Sequence, residues 1–110
     1  MKKFICFIRG GTSKPDDQKL DKQRWKIWIE KLSQTNNIID NGVLTTDGKI
    51  VADSGKTVKT FHFNLDENAS GYIILQAKDL EEAVSLTKDC PVFVYGGNVT
   101  IRPIVGRYSN

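Results

Sequence analysis

His62 is the only histidine in the chain, so it is the first candidate for acid–base chemistry. An imidazole titrates near neutrality and can serve as a general base or a pH switch. The surrounding residues read as a strand in which Phe61, Phe63 and Leu65 point one way. Val58, Thr60, His62 and Asn64 point the other. His62 would then face inward on the side opposite the phenylalanines, or stand as an ordinary hydrogen-bonded strand residue. Catalysis needs a partnered base within reach, and that requirement favours the second reading.

Arg9 and Arg102 are the next candidates. They end or occupy strands that should lie side by side, where two guanidinium groups could clamp a carboxylate or phosphate. Ordinary arginine usage favours surface pairing with Asp or Glu instead. Tyr72 and Tyr95 could line a pocket, or pack with the hydroxyl at a boundary. Trp25 and Trp28 share a helix face by their spacing and read as core. Asp47, Asp53 and Asp66 are turn residues by their neighbours and lack the spacing of a metal site. Cys6 lies in an apolar run and Cys90 precedes Pro91, with no CxxC spacing. Gly10-Gly11 and Gly96-Gly97 lack the spacing of a phosphate-binding loop. Neither a metal nor a cofactor is expected.

The elements that must carry these residues fit in 110 residues, the size of one domain. The apolar fraction is 39% and the charged fraction 26%, a globular balance. The net charge of +3 is scattered, so the one-signed patch of a nucleic-acid binder is missing. Five apolar residues, Phe4 to Ile8, are too few for a signal sequence. No run reaches the roughly 18 apolar residues of a membrane span. The expectation is a cytoplasmic protein that engages neither nucleic acid nor membrane.

Residues 3–8 read as a central strand, apolar on both faces, followed by a loop over Gly10–Lys14. Pro15-Asp16-Asp17 opens a helix that should run to about Gln34, with Leu20, Trp25, Trp28, Ile29 and Leu32 on its apolar side. Asn36-Asn37 stops it, and Asn41-Gly42 marks a turn beyond. Asp47-Gly48 reads as a hairpin turn between Val43–Thr45 and Ile50-Val51, with a second turn at Ser54-Gly55. Asp66–Ser70 is a loop, and Gly71–Gln76 a nearly continuous apolar strand. Asp79 and Glu82 form a capping box for a short helix that Cys90-Pro91 ends. Pro91–Asn98 reads as a loop, and Val99–Ile104 as the last strand, where Pro103 either ends the strand or places it at an edge.

That order is a ferredoxin-like split βαβ arrangement: an α+β fold with two helices on one face of an antiparallel sheet. Ile5, Phe7, Ile73 and Leu75 cannot all face the helices, because strand neighbours alternate. The second face needs a cover, and a second copy of the chain is the economical one.

The same residues resemble a known family. Phe4-Ile5-Cys6-Phe7-Ile8-Arg9-Gly10-Gly11 looks like the first strand of the YCII-related proteins, in the branch named for an Asp-Gly-Pro-Phe motif. The helix from Trp25 to Leu32 and Asn41-Gly42-Val43-Leu44 are similar to it. So are Gly71–Ala77, Asp79–Ala83, Lys88–Pro91, Tyr95-Gly96-Gly97 and Val99–Ile104. The resemblance implies one dimeric α+β barrel domain over residues 1–110. The motif itself should fall near Thr60-Phe61-His62-Phe63, where only Phe63 matches, and no family histidine stands on the first helix. No catalytic residue carries over.

The combined expectation is a homodimer that holds a small anionic or aromatic ligand in a cleft lined by Arg9, His62, Tyr72 and Arg102. The alternative is a cofactor-free lyase, isomerase or monooxygenase with His62 as base. A third is a purely structural or interaction subunit.

Overall fold

The computed structural model describes residues 1–12 and 14–109. In chain order they form β1 (Lys2–Arg9), α1 (Pro15–Gln34), β2 (Ile38–Val43), β3 (Asp47–Ala52) and β4 (Thr57–His62). Then come β5 (Gly71–Ala77), α2 (Leu80–Thr87), a 3-10 turn over Pro91–Tyr95 and β6 (Asn98–Ile104). The loop expected over Gly10–Lys14 includes Ser13, which lies outside the described residues.

Four strands make an antiparallel sheet in the order β2-β5-β1-β6, so β1 is central and the Pro103-bearing β6 is at an edge. Strands β3 and β4 form a separate antiparallel hairpin. The fold is α+β and compatible with a ferredoxin-like arrangement. No helix among the described residues is long and apolar enough to cross a membrane.

Strand alternation decides where the core lies. Phe4, Cys6 and Ile8 on β1 and Ile73, Leu75 and Ala77 on β5 are buried on one face. Trp28 and Leu32 of α1 cover one part of that face, and Ala83 of α2 covers another. Both helices therefore sit on the same side of the sheet. The opposite face carries Ile5, Phe7, Tyr72 and Ile74, all half-buried, with nothing over them among the described residues.

Helix α1 starts at Pro15, whose fixed backbone angle suits the first turn, with Asp16 and Asp17 at the positive end of the dipole. It stops at Asn36, which adopts a left-handed conformation at φ 59°. Next to it, Asn37 is buried and its amide donates to the Gln76 carbonyl at 3.0 Å. Gln76 returns a bond from its own side chain to the Asn36 carbonyl at 2.7 Å. These bonds fix the end of α1 to β5. Leu20 departs from the expected apolar stripe and is exposed.

In α2, Asp79 Oδ1 accepts from the Glu82 amide at 2.9 Å, the cap that the spacing predicts. Glu82 Oε1 in turn accepts from the Lys78 amide at 3.2 Å. Pro91 opens a 3-10 turn where a plain loop is expected, because proline is as well suited to the start of a 3-10 turn as to that of an α-helix.

Two expected turns are strand instead. Asn41-Gly42 lies inside β2 and Asp47-Gly48 begins β3. Glycine is there for close approach: a Cβ on Gly42 would come 2.5 Å from the Tyr72 ring, and one on Gly48 2.6 Å from the Phe63 ring. The real hairpin turn is Asp53-Ser54-Gly55, where all three residues have positive φ.

The hairpin stands away from the rest of the molecule, whose extents are 45 × 44 × 18 Å. The radius of gyration is 15.5 Å. A compact chain of this length would have about 13 Å.

Candidate functional site

Helix α1 is buried most deeply in its C-terminal half, while Trp25 of the first half packs at the edge of the core and Arg24 is bonded to Tyr95. Trp28 and Leu32 are its buried residues, whereas Asp17, Asp21, Arg24 and Trp25 in the first half are half-buried. The space under that half is a cavity of about 830 Å³. Small-molecule sites commonly measure roughly 300–1,000 Å³.

Its walls come from three places. Asp21, Lys22, Trp25, Lys26 and Ile29 hang from α1. The edge of the sheet supplies Gly42, Val43, Tyr72 and Ile73. Leu65, Ser70, Val92 and Tyr95 close the ends. The loop before β5 is stitched down to make that closure: Gly10 donates to the Leu65 carbonyl at 2.6 Å, and the Ser70 amide to the Ile8 carbonyl at 2.7 Å. Ser70 Oγ donates to the Gly10 carbonyl at 2.8 Å, and the Leu44 amide donates to the Ser70 carbonyl at 2.9 Å.

Trp25 and Tyr95 face the space, and Tyr72, whose ring is on the open sheet face, borders it at the β2 edge. Trp25 packs edge-on against Trp28 with ring centroids 5.5 Å apart, so one indole is core and the other is wall. Tyr72 lies over Gly42, and its hydroxyl donates to Asp40 Oδ2 at 3.4 Å. Tyr95 is held by Arg24, whose Nη1 donates to its hydroxyl at 3.3 Å.

Asp21 is the one acid whose environment is unusual. Its Oδ1 is shut off from solvent and has no hydrogen-bond partner among the described residues. Burial pushes the carboxyl's pKa up from its ordinary value. The charge of Arg24 and the Trp25 indole N–H pull the other way without cancelling that push. Sequence reasoning missed Asp21, although a signal exists. Residues 21, 25, 28 and 32 recur at the spacing of one helix face, and three of them are large apolar residues of α1. An acid in that register is out of pattern.

Of the four residues expected to line a cleft, Tyr72 lines this cavity and the other three lie elsewhere. Arg9 donates to Thr100 Oγ1 at 2.7 Å on the open sheet face. Arg102 is on the same face, but the register pairs it with Ile5 while Arg9 pairs with Asn98. The two arginines are thus four residues apart along neighbouring strands, roughly 13 Å at 3.3 Å per residue. His62 is exposed at the end of β4, opposite Asp47.

Both thiols belong to the core. Burial raises Cys6 to about 12, with a further push from Cys90. Burial also raises Cys90 to about 11, against a backbone bond at Val92 and with help from Asp21. Since the thiolate is the reactive form, neither cysteine should react with Ellman's reagent within minutes at pH 7.5 in the native state. Both should react at once in denaturant. Stability should also depend on pH through these groups. The unfolded thiols ionise near the ordinary 9.0, and the folded ones only near 11 and 12. Their contribution is complete below pH 9 and falls above it, by about 1.4 kcal/mol per pH unit for each thiol. Urea titrations at pH 8, 9 and 10 check this.

No protein-family model and no curated protein matches the chain. The geometry of the cavity is therefore what bears on function.

Proposed function

We propose that the protein is a homodimeric binding module that takes a small, largely apolar or aromatic ligand under the first half of α1. The cavity of about 830 Å³ carries this reading, because its walls join the Trp25 and Tyr95 rings and several aliphatic side chains to a few polar groups. A domain that needed α1 only as a core element would seat its whole length on the sheet. Here half of it is raised over a space that a flat organic body would fill.

The dimer rests on a different observation. Ile5, Phe7, Tyr72 and Ile74 form an apolar patch on the uncovered sheet face. The β3–β4 hairpin, with Phe61 43% and Val51 65% exposed, has no body of its own to pack on. An isolated two-stranded hairpin is marginal in water. A second copy covers both, which is also what the YCII-like residues imply: a dimeric α+β barrel. Finishing the burial of the four half-buried side chains would contribute about 3–6 kcal/mol gross. Sedimentation velocity should show a dimer at micromolar concentration, and Phe7→Glu should shift it to monomer. A wild-type monomer under those conditions would end the dimer proposal.

Binding is tested with 2-ethylnaphthalene, a flat neutral probe, at micromolar concentration. Quenching of the Trp25 and Trp28 emission should saturate with one probe per chain. Emission that stays flat up to the solubility limit would sink the binding reading. The alternative, an enzyme with His62 as base, lacks comparable support, because His62 stands exposed on β4 and off the cavity wall.

A further inference from the structure

The cavity opens at the β2 edge of the sheet. Val43 and Leu44 line it and are 94% and 42% exposed, so that end has no roof among the described residues. One step along the same edge, Gly42 and Tyr72 border the cavity and also belong to the open sheet face. From Tyr72 the apolar surface of that face runs on through its neighbours Phe7, Ile74 and Ile5. The β3–β4 hairpin leaves from the same corner. At its root the Phe63 amide donates to the Thr46 carbonyl at 2.6 Å, and Thr46 and Leu65 line the cavity. Three uncovered surfaces therefore meet in one place: the open face, the cavity mouth and the hairpin.

Their sizes decide how a second copy must sit. Four strands about 4.8 Å apart, each about seven residues long at about 3.3 Å per residue, present roughly 450 Å². A stable interface takes about 800 Å² from each partner. The open face alone is too small, and the remainder must come from surface that adjoins it. Toward β6 that surface is mostly polar, with Asn98, Thr100 and Arg102 on the edge strand. Toward β2 it is apolar: Val43 and Leu44 at the mouth, then Ile50, Val51, Val58 and Phe61 on the hairpin, all exposed. Burial of apolar surface drives association, whereas burial of unpaired polar groups opposes it. A second copy that covers enough area thus spreads past β2 and over the mouth. Two-fold symmetry makes the contact reciprocal, so each protomer covers the cavity of its partner.

We propose, on the reading that the cavity binds a ligand and the chain pairs, that the second copy forms the outer wall of the cavity, so that ligand and partner strengthen each other's binding. In a single chain, a ligand under the first half of α1 leaves part of its surface at the open mouth. In the dimer that surface is out of water. Burying roughly two more methylene groups' worth of ligand surface gives about a tenfold gain in affinity at each site. Linkage makes the effect reciprocal. With one site per protomer, a tenfold gain at each tightens pairing about a hundredfold when both are filled.

Two measurements with 2-ethylnaphthalene as probe read this coupling. The first is fluorescence titration of wild type and of Phe7→Glu and Ile5→Lys, two variants that put a charge into the pairing face. Neither side chain lines the cavity, and Ile5 stands opposite Ile74 rather than Tyr72. Sedimentation and thermal unfolding identify the folded monomers among them. Those monomers should bind the probe about tenfold more weakly than wild type. The second is the wild-type dimer dissociation constant from sedimentation, which needs no variant and should fall about a hundredfold in excess probe. A folded monomer that binds as tightly as wild type, or a dimer constant that the probe leaves unchanged or raises, overturns the shared wall while binding and pairing both stand. Wild type without quenching would instead bring down the binding reading, and wild type that sediments as a monomer at micromolar concentration the dimer. Either takes the shared wall with it.

Discussion

Trp28→Ala should lose about 3–5 kcal/mol of stability, the usual cost of deleting a large aromatic side chain from a core. Trp28 is 5% exposed and packs with Leu32 against Cys6, Ile8, Ile73 and Leu75. Few other side chains hold α1 to the sheet, since the helix buries only Trp28 and Leu32 completely. The loss compares with a total of roughly 5–15 kcal/mol for a domain. A large fraction of the variant should be unfolded or molten at 37 °C. Urea denaturation followed by far-UV circular dichroism measures the change. A midpoint within a few tenths molar of wild type would mean that α1 is held by something other than its C-terminal half. Trp25→Ala is the matched control: Trp25 is only half-buried and packs at the edge of the core, so its loss should be the milder.

The second large effect belongs to a glycine. At Gly97 a Cβ would press into the Arg9 carbonyl oxygen and Val92 Cγ2. Neither can give way cheaply. The Arg9 carbonyl belongs to the backbone of the central strand, and Val92 is 2% exposed in the core. The Gly97 amide is itself tied to the Val92 carbonyl at 3.1 Å. Gly97→Ala should therefore cost about 2–3 kcal/mol, in the upper range for overpacking. Gly42→Ala meets the Tyr72 ring, which can swing aside, so it should cost less while reshaping the cavity edge. Chemical denaturation of the two variants side by side tests the contrast. A Gly97→Ala protein as stable as wild type would show that β1 and the segment before β6 can separate freely.

Much of the frame is legible in the chain because it is written in local chemistry. Pro15 with its two aspartates starts α1, Asp79 caps α2, and Pro103 marks an edge. Alternation in β1 and β5 leaves an uncovered face, although Ile73 and Leu75 turn to the helices and Ile5 and Phe7 away from them. The misread turns have one cause. A glycine beside Asn or Asp looks like a hairpin signal, but Gly42 and Gly48 are required by aromatic rings that arrive from distant parts of the chain. Sequence spacing cannot show such an approach.

The site was harder to read for the same reason. His62, Arg9 and Arg102 are conspicuous by residue type, yet the fold places them away from the cavity under α1. The cavity depends on how far the first half of α1 is raised, a tertiary fact. Asp21 was the visible clue, an acid in the register of Trp25, Trp28 and Leu32.

Ligand entry under α1 is tested most directly by a ¹H–¹⁵N correlation spectrum of the protein titrated with 2-ethylnaphthalene. The expected result is a set of shifts at the Trp25 indole and at the amides of Gly42, Ser70, Tyr72 and Ile73, with Ile5, Phe7 and Thr100 on the open sheet face unmoved. Shifts confined to that face, or to the hairpin around His62, would contradict it.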